Sequence, residues 1–339
     1  MEKKHRNDSV GLRITAFFLI LVLLLMITSQ AFFRLALYSS DNKIMKRNSV
    51  EMLLMAQKKD SIDVLVLGDS ESYTTVSPMQ LYSEGGITSF VAGQPGQNMA
   101  ETLHMLNVAL QTQKPKVVML ETDALYRDGG SGSGFKDIFN VRLSEVFPVF
   151  QYHNLWKQIG RKNSAVIQSW NGYHINYNVD GCITTKNYMR QTDKVKQVSW
   201  VTQKALGEIQ QKCKDIGAKL ILYSAPSPKN YNMEKHNGLQ ELADVKNITY
   251  IDLNLKADKL GIDWSTDTRD QGDHLNDAGA YKTTEYFLSV LQDMGLTDHR
   301  GDSAYAKWDT RSAKFMSIIE GNIAQIQSDG QGQANASSK

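Results

Sequence analysis

The chain has 339 residues with 38 Lys+Arg against 36 Asp+Glu, a net charge of +2, and this near-balance argues against a dedicated nucleic-acid binder, which carries a basic excess or stripe. Six Pro, 24 Gly and 9% aromatic residues exclude collagen-like and proline-rich chains and argue against wholesale disorder. Two cysteines, Cys182 and Cys213, exclude a disulfide scaffold and a cysteine-only zinc site, and leave one bridge between them open.

The first element runs from Ile14 to Phe33, 20 residues without a charge. At a rise of about 1.5 Å per residue this run matches a hydrocarbon core of about 30 Å. Four basic residues precede it (Lys3, Lys4, Arg6, Arg13) and four follow it (Arg34, Lys43, Lys46, Arg47), so loop charge leaves orientation undecided. A short basic tail before a first apolar segment is the layout of a signal anchor. It predicts a single-pass cell-membrane protein, with residues 1–37 as cytoplasmic tail and span and the C-terminal part extracytoplasmic. Ser29-Gln30-Ala31 has the small-x-small form of a cleavage site, so removal as a signal peptide is the alternative.

Residues 38–60 are polar and helix-compatible, and read as a stalk. From residue 61 short β-type runs alternate with helical ones: Ile62–Leu67, Ile87–Ala92, Lys116–Leu120, Lys219–Ser224 and Ile248–Leu253 are the predicted strands. Helical spacing marks Asn98–Leu110, with Asn98 and Glu101 as a capping box, Ser199–Ile216 ending at Gly217, and Ala278–Met294 after Asp277 as N-cap. This alternation predicts a three-layer α/β/α domain with a parallel sheet over 61–298. Residues 127–198, glycine- and serine-rich and then aromatic, break the rhythm and read as an insertion or lid. Residues 299–339 read as a helical extension with a disordered tail from Ser328.

Open parallel sheets bind ligands beyond the carboxyl ends of their strands. Gly68-Asp69-Ser70 stands at the first such end, and would expose the Ser70 hydroxyl on a sharp turn. A serine nucleophile needs a base, and the base an orienting acid. Asp270-Gln271-Gly272-Asp273-His274 precedes the last helix of the alternating pattern and offers His274 with either Asp270 or Asp273. Asp270 is preferred, because a turn through Gln271-Gly272 brings it back, whereas an adjacent Asp273 points elsewhere. Gly93-Gln94-Pro95-Gly96-Gln97-Asn98 is a loop whose amides suit an oxyanion hole. Asp69 reads as a loop-fixing residue, and Glu71 as either a cap or a substrate contact. The acids at 263, 267, 270 and 273 lack a calcium-loop pattern, so no metal and no cofactor are expected. A phosphate-transferring enzyme is disfavoured, since no GxxxxGK[ST] loop is present.

In order and strand context these blocks resemble the SGNH/GDSL hydrolase family. The resemblance implies an SGNH-like (flavodoxin-like) fold, with Ser70 as nucleophile and oxyanion donor, Gly96 as oxyanion glycine and His274 as base. The family's GxND block is represented by Leu120-Glu121-Thr122-Asp123, with Thr122 where asparagine is usual, so that a donor is missing or comes from Gln97, Asn98 or Thr122. The family's aspartate three residues before histidine is replaced by Gln271. GDSES with LETD and DHLN looks similar to the membrane-anchored branch that works beside membrane-bound O-acyltransferases, in teichoic-acid D-alanylation and alginate acetylation. The expected function is therefore an extracytoplasmic serine esterase or O-acyltransferase acting on acyl groups of a cell-surface glycan or polymer. The alternative is a non-catalytic SGNH-like domain that binds a glycan or docks on an acyltransferase.

Overall fold

A computed structural model describes residues 2–37, 49–127, 131–158, 170–182 and 187–337. The chain divides into two compact units, one of residues 1–52 with 136–168 and one of residues 53–135 with 169–339.

In the first unit a helix spans Glu2–Leu37 (α1), and its Val10–Ala36 portion is long and apolar enough to cross a membrane. Helix α2, Ser49–Met55, begins in this unit. Its Val50, Met52 and Leu54 are buried, so residues 49–55 are packed helix where a polar stalk is expected. The rest of that stalk, 38–48, lies outside the described residues.

The second unit is the α/β domain. Strands β1 (Val64–Gly68), β2 (Ser89–Gly93), β3 (Val117–Glu121), β4 (Lys219–Ser224) and β5 (Thr249–Asp252) form one parallel sheet in the order β2-β1-β3-β4-β5. This is the flavodoxin-like order, whose switch point lies between β1 and β3. The strands read as continuous apolar runs because both faces are covered. Between β1 and β2 come a short helix, α3 (Ser70–Tyr73), and α4 (Pro78–Gly85); α5 (Met99–Ala109) follows β2. After β3 come α6 (Ser131–Val146) and α7 (Val149–Tyr152), which from residue 136 belong to the first unit, then α8 (Trp200–Asp215), α9 (Met233–Lys246), α10 (Asp277–Gln292) and α11 (Ala306–Ser337) in the second.

Val64, Val66, Val91, Met119, Ile221 and Tyr223 share one core with Leu81 of α4 and Phe287, Leu288 and Leu291 of α10. Alternate strand residues, such as Leu65, Leu67, Phe90, Val118 and Leu222, are also buried, on the opposite face. There α5 packs on β1 and α8 on β4. The three-layer expectation holds. Burying a side chain the size of Phe287 contributes about 1.5–3 kcal/mol, and it is fully buried.

The expected capping box of α5 is present in both directions: Asn98 accepts from the Glu101 amide (3.0 Å) and Glu101 from the Asn98 amide (3.1 Å). At α10 the cap is Asn276, not Asp277. The Asn276 carboxamide accepts from the Ala278 and Gly279 amides, while Asp277 accepts from the Tyr173 hydroxyl (2.8 Å) and the Asn176 backbone amide (3.0 Å). The 127–198 insertion is divided: residues 136–168 belong to the first unit, and 127–135 and 169–198 to the α/β unit. There the Asn171 carbonyl accepts from the Val91 amide (2.9 Å) and covers the edge of β2. Helix α11 runs to Ser337 where a disordered tail is expected from Ser328, because extending a formed helix is far easier than nucleating one. Cys182 and Cys213 do not form a disulfide with each other.

Candidate active site

The chain leaves β1 through Gly68, whose φ of +144° and surroundings admit no side chain: a Cβ there would lie 2.6 Å from the Glu121 Cβ of β3. Asp69 then caps α3 by accepting from the Glu71 amide (3.0 Å), which sets Ser70 as its first residue. This places Ser70 beyond the carboxyl end of β1, beside the sheet's switch point. Asp69 is fully buried and ion-paired to Arg127, which also reaches Asp123 at 2.8 Å. It fixes the turn, as expected.

The second part of the site arrives 200 residues later. Gln271 and Gly272 both adopt left-handed backbone, with φ of 62° and 82°. Their turn folds Asp270 back onto His274, which is the expected geometry. Thr268 holds the loop closed: its hydroxyl donates to the His274 carbonyl (2.9 Å) and accepts from the Gly272 amide (2.8 Å). The Ser70 Oγ lies 2.8 Å from His274 Nε2, and His274 Nδ1 lies 2.7 Å from an Asp270 oxygen whose partner oxygen accepts from the His274 amide at 2.6 Å. Asp273 stands at 3.6 Å from Nδ1. The ring therefore carries its proton on Nδ1, toward Asp270, and offers Nε2 as acceptor to the serine hydroxyl. Burial raises the Asp270 carboxyl, but the ring and amide hydrogen bonds from His274 outweigh it and leave its pKa lowered. Asp270 is thus an ionised partner for an imidazolium.

Residues with no local sequence signature complete the site. Asn230, in the loop after β4, donates to both Glu71 (3.0 Å) and Asp273 (2.5 Å) and so ties the nucleophile turn to the histidine loop. Ser227 donates to the Gly272 and Asp273 carbonyls at 3.1 and 2.8 Å. His174 stacks on Tyr73, ring centroids 4.1 Å apart; burial and then the nearby Arg269 charge lower its pKa to about 4, so it is neutral at pH 7. Only the tertiary structure brings these together, since their separations along the chain follow no period.

Of the expected side-chain oxyanion donors, Gln97 and Thr122 have partners inside the fold, while the cap made by Asn98 uses its acceptor oxygen. Gln97 is buried and donates to Thr102 Oγ1 (3.1 Å), Asn98 caps α5, and the Thr122 hydroxyl pairs with that of Ser224 at 2.5 Å. Gln97 and Thr122 are drawn inward because a buried polar atom must find a partner. Gly96 sits at φ +63° in a turn closed by the Gln97 amide on the Gln94 carbonyl (3.1 Å), exposed at the end of β2. Gly93 and Gly68 are paired in register, so this turn follows the strand beside the nucleophile's. Glu71, Asp273 and His274 bring one ligand atom each within 4.8 Å of one another. Asn230 already bridges the two carboxyls, and both nitrogens of the ring are engaged by Ser70 and Asp270.

Behind Ser70 three carboxyls are held above their ordinary pKa values. Burial and then the Asp123 charge push Asp69 up to about 6. Burial first, then neighbouring carboxylates, pushes Glu71 and Glu121 well above the usual range. A raised folded-state pKa means stability that is full below the unfolded value and lost as pH rises through the folded one; for Asp69 that window runs from 3.8 to about 6. Thermal unfolding of the full chain in detergent should therefore occur at lower temperature at pH 8 than at pH 5. Glu71→Gln should flatten this fall by a few degrees, since about 2–4 °C corresponds to each kcal/mol in a domain of this size. An unchanged slope would mean that Glu71 is ionised in the fold.

Compared by sequence, the chain matches no protein-family model and no curated protein. Among solved structures, one neighbour is a Bacteroides fragilis protein classed as an acylhydrolase, 12% identical, covering 74% of this chain and 97% of that one at a TM-score of 0.41. Another is the lipase/acylhydrolase of Enterococcus faecalis, at 14% identity, 69% and 96% coverage and a TM-score of 0.37. A third is a GDSL-like lipase of Bacteroides thetaiotaomicron, at 11% identity, 75% and 100% coverage and a TM-score of 0.36. What this chain can do rests on its own residues.

Proposed function

We propose that the protein is a membrane-anchored, extracytoplasmic serine esterase or O-acyltransferase acting on acyl groups of a cell-surface glycan or polymer. The observation that carries the reading is the continuous relay from Ser70 through His274 to Asp270, at 2.8 and 2.7 Å. Ser70 Oγ attacks the acyl carbonyl carbon while its proton passes to His274 Nε2. The tetrahedral oxyanion is received by backbone amides, with those of Ser70 and Gly96 as the proposed donors. Collapse breaks the acyl–oxygen bond, and His274 returns the proton to the departing alkoxide. Water, or a sugar hydroxyl, then attacks the acyl-serine by the reverse sequence. The first gives hydrolysis and the second transfer. No metal or cofactor enters these steps. A membrane-bound O-acyltransferase is the proposed partner, and an acyl-accepting polymer the proposed substrate.

A fluorophosphonate probe tests the reading, because it labels a serine efficiently only when a base activates it. Labelling of the full-length protein supports catalysis; a protein that is folded yet unlabelled supports the non-catalytic, glycan-binding or docking alternative.

Orientation has its own test. The basic tail before α1 places residues 38 onward outside the cytoplasm in this reading. Protease added to intact cells should digest the α/β domain. Protection until lysis would reverse the topology.

A further inference from the structure

The first compact unit contains more than the anchor. Helix α7 and the short 3-10 helix that follows it, His153–Gln158, pack on the C-terminal end of α1. Phe33 and Tyr152 lie with ring centroids 6.3 Å apart, and Ala36, Tyr152 and Leu155 are all buried. Gln151 donates to Glu51 of α2 at 2.5 Å, which fixes the segment from its other side. The uncharged run ends at Phe33, about 30 Å along the helix from its start. The segment touching Phe33 therefore lies at the level where hydrocarbon gives way to headgroups.

The same unit leaves large apolar side chains uncovered. Phe139, Val146, Phe150 and Trp156 are 65%, 62%, 48% and 57% exposed. Phe139 and Val146 are seven residues apart on α6, two turns and hence one face. Water is a poor solvent for such a set, whereas a bilayer interface favours tryptophan, phenylalanine and flanking cations. Lys157 stands 5.8 Å from the Trp156 ring, and Arg142 lies on the same segment as Phe139.

We propose that residues 136–158 form an interfacial platform, which seats Phe139, Val146, Phe150 and Trp156 in the headgroup boundary of the membrane beside α1. The occupant of this apolar surface is lipid. It is argued from the continuity of the surface with the end of the span, and it rests on the anchor reading above. The platform gives the protein a second membrane contact and restrains the anchor's tilt.

The test uses the full chain reconstituted in phosphatidylcholine/phosphatidylglycerol vesicles whose acyl chains carry bromine near the headgroup. The Trp156 signal is the fluorescence difference between the native protein and Trp156→Phe. Brominated lipid should dim that signal roughly twofold, as expected for an interfacial tryptophan. Phe17→Trp in the Trp156→Phe background reports on the anchor in the same vesicles. If the anchor reporter is quenched while the Trp156 signal is not, the platform is wrong and the anchor stands. If neither is quenched, the anchor reading has failed and the platform with it. A Trp156 signal shielded from aqueous acrylamide but untouched by bromine would assign the surface to a protein partner and overturn the proposal.

Discussion

Ser70→Ala should abolish fluorophosphonate labelling and reduce ester turnover by on the order of 10⁶-fold, the loss found when the nucleophile of a serine–histidine–aspartate unit is removed. The effect is large because the relay acts as a unit. Without the hydroxyl, His274 has no proton to accept and no acyl-enzyme forms. The change should leave the fold intact. Ser70 is 8% exposed, and the elements that define its turn are Gly68 and the Asp69 cap, neither of which uses the serine side chain. Circular dichroism and melting temperature close to those of the native protein, together with lost labelling, are the expected pair of results. Unchanged turnover of a generic acetyl ester would remove Ser70 from the chemistry.

Asp270→Asn should cut kcat by roughly 10⁴-fold, as loss of the orienting acid does in the serine-protease template. Two of its hydrogen bonds go to one residue, the ring at 2.7 Å and the amide at 2.6 Å of His274, so that Asp270 sets both the tautomer and the position of the base. An asparagine can present its amide nitrogen to Nδ1 and so favour the opposite tautomer, with the proton on Nε2 facing Ser70. Asp273→Asn should behave differently. Its carboxylate accepts from Asn230 at 2.5 Å and stands 3.4 Å from the Lys229 ammonium, so it braces the loop and lies 3.6 Å from the ring. Its replacement should lower the melting temperature by a few degrees and kcat by much less than Asp270→Asn. Steady-state kinetics and melting curves on the two variants decide the matter. A kinetic loss that falls on Asp273 would reassign the acid.

Much of the site is legible in the linear chain because its two chemical ends lie in short blocks whose local physics is strong. Gly68-Asp69-Ser70 ends an apolar run, and Gln271-Gly272 is a turn that only a glycine-containing loop makes without much strain. The choice of Asp270 over Asp273 was available from that turn alone. The inward turn of Thr122 toward Ser224 is a matter of packing that no short stretch of sequence shows. Asn230 carries no signal at all. Its role depends on the loop after β4 crossing between Glu71 and Asp273, 159 and 43 residues away.

By itself the sequence determined the five strands, the apolar span and the turn that folds Asp270 back onto His274, because each follows from periodicity, length or turn chemistry within a few residues. Tertiary structure alone decided that Asp277 accepts from Tyr173 and Asn176 in place of capping α10, that residues 127–198 are shared between two units, and that the carboxyls behind Ser70 are buried together. These depend on which distant groups share a low-dielectric space, and no window along the chain contains both partners of such a contact.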